Sequence, residues 1–302
     1  MGTILNLVYP EKSDIKFTVS KFPDGQQSLT ITDNFAKHKE VKISSRLNSF
    51  SDLELILCAT SALKNIEVEN IHLYVPYFLG ARSDRKFTDG GVNYLKDVIC
   101  PIINSQNYKS VTVMDPHSDV LEACLNNYKK IDNISLVKQA LTKIDNTNEA
   151  REKVHLVSPD AGALKKVFHV AEHFEIDKLI IASKHRDIKT GRITHTEVPG
   201  LPKLEMVNTK YGDSHFPPPT GEKYVIVDDI CDGGRTFIEL AKVILKERPK
   251  SYCGTEVYLI VTHGIFSAGF ETLNQYFDKI YTTNSVKEIE NELVEQINVF
   301  NN

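Results

Sequence analysis

Short β-branched runs alternate along this chain with segments of helical period, and that alternation limits the fold more than any other feature. The runs are Ile71–Val75, Val111–Met114, Val154–Val157, Leu179–Ala182, Tyr224–Val227 and Val257–Val261. Each is short and largely apolar, the pattern of a strand buried on both faces. Strands of that kind, separated by helices, make a parallel sheet covered by helices, so an α/β architecture is expected. The helical segments carry their own signals. Ser51-Asp52-Leu53-Glu54 has the form of a capping box, with Leu53, Ile56, Leu57 and Thr60 following on one face. Leu164, Val167, Phe168 and Ala171 make a second stripe, and Phe237, Leu240, Ala241, Ile244 and Leu245 a third.

The 302 residues suffice for two domains with separate cores. A polar stretch, Asn126–Glu152, lies between two halves, and domains of 1–137 and 138–302 are expected. Each half carries a strand that runs into carboxylates, Val111 to Asp115 and Val225 to Asp229. Each also carries an earlier strand that leads into basic residues, Arg82 to Lys86 and Lys184 to Arg192, which suggests a duplicated α/β domain. The segment Pro199–Gly221, with Pro217-Pro218-Pro219, reads as an irregular excursion.

Net charge is −4, so no broad basic field would hold a nucleic-acid backbone or an anionic membrane, and any phosphate must be bound locally. No apolar run approaches the roughly 20 residues of a spanning helix, and the N-terminus lacks the basic-then-apolar pattern of a secretory signal. Cys58, Cys100, Cys124, Cys231 and Cys253 are scattered, with no Cys-x-x-Cys pair. That set points to reduced thiols in the cytoplasm and argues against a zinc site.

The strongest chemical signal is Val225-Ile226-Val227-Asp228-Asp229-Ile230-Cys231-Asp232-Gly233-Gly234-Arg235-Thr236. An apolar strand ends in two acids, turns through glycines and enters a helix. Ligands of open parallel sheets bind at the carboxyl ends of strands. Glycines there let backbone amides approach a phosphate, and the helix N-terminus adds its positive dipole. The acids repel that phosphate but accept hydrogen bonds from sugar hydroxyls. A phosphate and a diol bound together describe a ribose phosphate.

This segment resembles the phosphoribosyl-diphosphate loop shared by phosphoribosyltransferases and ribose-phosphate pyrophosphokinases. Other segments favour the pyrophosphokinases. Val75-Pro76-Tyr77-Phe78-Leu79-Gly80-Ala81-Arg82-Ser83-Asp84-Arg85-Lys86 and Phe22-Pro23-Asp24-Gly25-Gln26 are similar to that family's ATP-contacting segments. Met114-Asp115-Pro116-His117-Ser118-Asp119 resembles its Asp-x-His metal segment, and Ser158-Pro159-Asp160-Ala161-Gly162 its Ser-Pro-Asp-x-Gly turn. Thr262-His263-Gly264-Ile265-Phe266-Ser267 is a sixth match, and the six lie in family order over nearly the whole chain.

The resemblance implies two Rossmann-like, phosphoribosyltransferase-type domains, each a mostly parallel sheet flanked by helices. It implies transfer of the β,γ-diphosphate of ATP to the 1-hydroxyl of a ribose 5-phosphate unit, with Mg²⁺. ATP falls to Phe22, Asp24, Gln26, Arg82, Ser83, Asp84 and Arg85, and the metal to His117, Asp160 and Asp115. The acceptor falls to Asp228, Asp229, Asp232, Gly233, Gly234, Arg235 and Thr236. Lys184 and Arg186, with Lys189 and Arg192 beyond them, match a mobile catalytic loop whose cations stabilise the transferring diphosphate. A homo-oligomer, dimer or higher, is also implied.

The chain departs from the family pattern at named places. Gln26 stands where an acid is usual, the stretch Phe87–Tyr94 is compressed, and the chain stops soon after Tyr281-Thr282-Thr283-Asn284, short of the family's final helices. The family's Asp-Thr-x-Gly-Thr is here Asp232-Gly233-Gly234-Arg235-Thr236, so a threonine hydroxyl is lost and a guanidinium gained. Such a loop suits ribose 5-phosphate or a ribose whose 5-phosphate is itself substituted, as in ADP-ribose, which would tie the reaction to NAD metabolism. Two other readings stand beside these: a non-catalytic regulatory paralogue, which would release no AMP, and a phosphoribosyltransferase, which would need only the last loop.

Overall fold

Along Lys223–Cys231 the side chains alternate between two apolar layers: Tyr224 and Ile226 enter one core, Val225 and Val227 the other. A strand with no polar face must lie inside a sheet covered on both sides, and the rest of the fold follows from that. The computed structural model describes residues 2–33, 39–145, 150–186, 193–199, 201, 207–208, 214–215 and 221–300. It divides into two compact units, Met1–Asp132 with Asn298–Asn302, and Asn133–Ile297.

The first unit contains β1 (Thr3–Asn6), an antiparallel hairpin of β2 (Phe17–Lys21) and β3 (Gln27–Ile31), β4 (Glu40–Ser44), α1 (Phe50–Asn65) and β5 (Asn70–Tyr74). A π-helical turn, Leu95–Ile99, runs into α2 (Cys100–Asn104), followed by β6 (Ser110–Met114), α3 (Val120–Cys124) and β7 (Tyr128–Ile131). Its sheet is parallel throughout, in the order β1-β4-β5-β6-β7. Leu53, Ile56, Ala59 and Leu63 of α1 pack on Val41, Ile43, Ile71 and Leu73 of the sheet.

The second unit contains α4 (Ile134–Ile144), α5 (Ala150–Lys153), β8 (Val154–Ser158), α6 (Leu164–Phe174) and β9 (Leu179–Ile181). A hairpin of β10 (Ser183–Arg186) and β11 (Ile193–Glu197) follows, then a short antiparallel pair, β12 (Val207–Asn208) and β13 (Ser214–His215). The chain continues through β14 (Lys223–Cys231), α7 (Arg235–Glu247), α8 (Lys250–Cys253), β15 (Glu256–Gly264), α9 (Leu273–Tyr276), β16 (Lys279–Thr283) and β17 (Val294–Ile297). The sheet is parallel, in the order β9-β8-β14-β15-β16-β17. Helices α4 and α6 cover one face, and α7 and α9 the other. The strand order reverses between β8 and β14, and at such a switch point a crevice opens at the carboxyl ends.

All six expected strands form. Three local expectations are corrected. The N-cap of α1 is Ser49, whose hydroxyl accepts from the Asp52 amide (3.2 Å) while the Asp52 carboxylate accepts from the Ser49 amide (3.0 Å). Ser51 and Glu54 instead hold Gln27 of the β2–β3 hairpin, which donates from Nε2 to both and from its amide to Glu54 Oε1. Phe168 is exposed, and Val170 takes its place in the buried stripe of α6. The units divide at Asp132/Asn133 rather than at 137/138, which would cut α4, and residues 298–300 pack with the first unit through Phe300 against Tyr74 and Met114. Pro217–Pro219 lie outside the described residues. Among the described residues no helix is long and apolar enough to cross a membrane.

Candidate active site

The carboxyl ends of β8 and β14 bring three acids together at the switch point of the second unit. On β8, Ser158 is fully buried, and its hydroxyl donates to the Asp160 carbonyl (2.8 Å). Asp160 Oδ1 accepts from the amides of Gly162 (3.0 Å) and Ala163 (3.1 Å), which fixes the turn into α6. On β14, Asp229 is buried and Asp228 partly so, and the Asp229 amide donates to Asp228 Oδ1 (2.9 Å). Burial, together with the adjacent Asp229 and then Asp160, pushes the Asp228 carboxyl well above the usual carboxylate range. Lys166 of α6 supplies a counter-charge, with Nζ 3.6 Å from Asp229 Oδ1.

Beyond the acids the chain turns through glycine into α7. Gly234 has φ +77° and precedes the helix, and a Cβ there would lie 3.1 Å from Leu273 Cδ2. Glycine is therefore required by backbone and by space. Gly233 is different: a Cβ there would meet Ser267 Oγ only at 3.7 Å and Ala268 Cβ at 3.9 Å, ordinary contact distances. Asp232 is tied down by the segment after β15, accepting from the Ser267 hydroxyl (2.6 Å) and, through its carbonyl, from the Ser267 amide (3.1 Å). The N-cap of α7 is Gly234, which has no side chain with which to cap the helix, and the start of α7 presents the positive end of the helix dipole. Arg235 is exposed at the first helical position, with Thr236 next to it. Cys231 is fully buried, and burial, then Asp228 and Asp232, raise its thiol far above the usual range, which leaves it no part as a nucleophile.

The expected catalytic segment leaves β9 at Ala182, whose amide donates to the Ser158 carbonyl (2.9 Å). Lys184 pairs with Thr196 and Arg186 with Ile193 along the β10–β11 hairpin, with a register shift between His185 and Arg186. Only the backbone of Lys184 and Arg186 is described, and Lys189 and Arg192 lie outside the described residues.

In the first unit the expected ATP residues lie on two segments, the tip of the β2–β3 hairpin and the loop that follows β5. The hairpin tip Phe22–Gln26 is closed by Phe22 N to Gln26 O (2.8 Å) and by Gln26 N to Asp24 Oδ1 (3.2 Å), with Gly25 at φ +97°. Phe22, Asp24 and Gln26 are all exposed. Gln27 fastens the hairpin to the start of α1, where Phe50 meets the Tyr94 ring edge-on (centroids 6.4 Å). Tyr94 in turn lies over Gly80 at the head of the basic segment. Arg82 and Arg85 are exposed there, Ser83 is half-buried, and Asp84 is turned inward, 3.4 Å from Arg85 Nε. At the end of β6, Asp115 is buried with φ +39°, a left-handed conformation uncommon outside glycine, and its amide donates to the Ile131 carbonyl (2.7 Å). His117, two residues on, is exposed.

Residues 126–298, more than half of the chain, match the phosphoribosyl transferase domain family. The chain belongs to that family. Within the phosphoribosyl transferase family its likeness runs to the ribose-phosphate pyrophosphokinases, as the motif series indicated. It is 25% identical over 295 residues to the ribose-phosphate pyrophosphokinase of Mycoplasma genitalium, covering 95% of this chain and 80% of that one. It is 25% identical over 275 residues to that of Sulfurisphaera tokodaii, covering 88% and 83%. The crystal structure of phosphoribosylpyrophosphate synthetase from Mycobacterium smegmatis has the same fold, with a TM-score of 0.77 at 16% identity over 99% of this chain and 95% of that one.

Among the described residues no group of three or more His, Cys, Asp or Glu forms a ready metal cage. Magnesium asks for less: one or two carboxylates, with waters and phosphate oxygens completing its shell. The carboxylates at the ends of β6, β8 and β14 are donors of the right hardness. Sequence reasoning missed the contacts of two residues of this site. Lys166 reaches Asp229 only because α6 packs beside β14, and Ser267 was part of a matched motif but acquires its role through Asp232.

Proposed function

We propose that this protein is a magnesium-dependent pyrophosphokinase that transfers the diphosphate of ATP to the 1-hydroxyl of a ribose 5-phosphate-type acceptor. The observation that carries the reading is the pairing of Asp228 and Asp229 at the switch point with a glycine-led helix start six residues on. The acids accept hydrogen bonds from the ribose hydroxyls, and the amides and hydroxyl around Gly234–Thr236 receive the 5-phosphate. The ribose O1 forms a bond to the β-phosphorus, the bond from that phosphorus to the oxygen carried by the α-phosphorus breaks, and AMP leaves. Bound Mg²⁺ would supply neutralisation of the phosphate charge that builds during transfer. His117 and Asp115 are candidates to hold magnesium in the first unit, and Asp160 is a separate candidate in the second. Lys184 and Arg186 bring cations to the diphosphate in flight, and Phe22, Asp24, Gln26, Arg82, Ser83, Asp84 and Arg85 hold the nucleotide. AMP release from ATP and Mg²⁺, dependent on ribose 5-phosphate or a substituted ribose 5-phosphate, tests the reading; absence of AMP with every such acceptor rejects it and favours a regulatory role.

Gly233 and Arg235 support a second acceptor. The backbone does not demand glycine at 233, so the space left there is a choice of side chain, and Arg235 stands exposed beside it. A guanidinium forks onto phosphate oxygens, and the open position admits a phosphate that carries a further group, as in ADP-ribose. Comparing kcat/KM for ribose 5-phosphate and ADP-ribose, in wild type and Arg235→Thr, decides between them. Inert ADP-ribose together with unchanged ribose 5-phosphate kinetics in the variant rejects the enlarged site. The same reading places the enzyme in the cytoplasm as a homo-oligomer, which sedimentation equilibrium tests.

A further inference from the structure

The acidic pair of β14 is set against a basic residue of the neighbouring helix. Lys166 Nζ lies 3.6 Å from Asp229 Oδ1, with 18% and 7% of the two side chains exposed. A carboxylate buried to that extent is costly as an isolated ion, and here the cost rises because Asp228 is its chain neighbour and Asp160 lies close to that neighbour. The ammonium offsets it. At 3.6 Å the contact is an ion pair longer than a charge-assisted hydrogen bond, and it places a positive charge beside the Asp229 carboxyl. The local sequence makes this placement rigid. Asp160 caps the turn that leads into α6, and Val167, Val170 and Ala171 bury the helix against the sheet, so Lys166 cannot swing away with the helix.

We propose that Lys166 is a positioning residue for the acceptor: its ammonium holds Asp229 as an oriented anion that receives the ribose hydroxyls. The inference rests on the acceptor site proposed above. Lys166 does not face the transferring diphosphate in this scheme, so its loss acts on acceptor binding rather than on turnover. Lys166→Met is expected to raise KM for ribose 5-phosphate about 10- to 100-fold, the range for losing the hydrogen bond that a ribose hydroxyl would make to an oriented Asp229 carboxylate, with kcat nearly kept. Calorimetric titration of ribose 5-phosphate alone should show the same loss, and Lys166→Arg should return KM to within about threefold of wild type. A purely structural role would lower the melting temperature without separating KM from kcat. If Lys166→Met does not fold, Lys166→Gln keeps a donor without the charge and is read the same way. Wild-type KM in the neutral variant, or a fall in kcat at constant KM, overturns the inference while wild-type turnover leaves the pyrophosphokinase reading standing. A wild-type enzyme that neither binds ribose 5-phosphate nor releases AMP with it brings down both.

Discussion

Glu222 anchors a charge cluster at the amino ends of β8 and β14, the edge opposite the candidate site. Its Oε2 accepts from Arg248 Nη2 (2.7 Å) and from the Tyr224 hydroxyl (3.1 Å), and His155 Nε2 lies 3.5 Å from Oε1. His155 stacks on the Tyr224 ring at 4.8 Å and 14°, and both His155 and Arg248 are buried. Arg248 directly follows α7, so this cluster pins the far end of the helix whose start carries the candidate site. His155, then Arg248, hold the Glu222 carboxyl down at about 2 against the burial that would raise it. The folded value lies below the 4.5 of an open chain, so the stabilisation is fully present above that value and is lost as pH falls through about 2. The difference contributes about 3 kcal/mol at neutral pH. Glu222→Gln removes it and leaves the Arg248 guanidinium buried beside a neutral amide, so a loss of about 3–5 kcal/mol is expected at pH 7. Urea unfolding followed by circular dichroism at pH 7, 5 and 3 checks this. The gap between wild type and variant should close as pH falls, and a gap that stays constant with pH would refute the electrostatic account.

Three further outcomes are expected. Lys184→Ala and Arg186→Ala should each lower kcat by about 10²–10³-fold with modest change in ATP affinity, because their cations act on charge that develops in transfer; near-normal turnover in both removes the segment from the mechanism. His117→Ala should raise the Mg²⁺ concentration for half-maximal rate at least about tenfold, measured as AMP formation against magnesium, and an unchanged dependence returns His117 to a structural role. Gly234→Ala places a Cβ at φ +77° and 3.1 Å from Leu273 Cδ2, at a cost of about 1–2 kcal/mol, or roughly 2–6 °C in Tm by calorimetry. An unaltered Tm would show that the turn relaxes without strain.

The strands that could be read from the sequence are those with short, largely apolar runs, including β9, which lies at a sheet edge with Ile181 exposed. β7 and β17 could not be read, because each closes a sheet edge and is half solvated: Lys129, Lys130 and Ile131 are exposed, and every residue of Val294–Ile297 is only half-buried. The start of α1 shows a different limit. Ser49-Phe50-Ser51-Asp52 and Ser51-Asp52-Leu53-Glu54 both fit a capping box, and local sequence does not choose between them. The choice is made by Gln27, 24 residues before Ser51, which occupies Ser51 and Glu54.

The same division between local and distant information runs through the site. Asp228, Asp229 and the two glycines are legible because strand, turn and helix are consecutive. Lys166 and Ser267 make their contacts across 63 and 35 residues; Lys166 leaves no local trace, and Ser267 lies in a recognisable motif that does not reveal its contact with Asp232. The glycines themselves read alike in the sequence, yet they differ physically. Gly234 is dictated by a left-handed backbone and by Leu273, so any chain with this turn needs glycine there. Gly233 is under neither constraint: a Cβ there would sit at ordinary contact distances from Ser267 and Ala268. A residue that neither backbone nor neighbours require to be glycine is a place where a turn can vary without disturbing the scaffold, and for that reason the proposed test of acceptor preference is made here and at Arg235, two residues away.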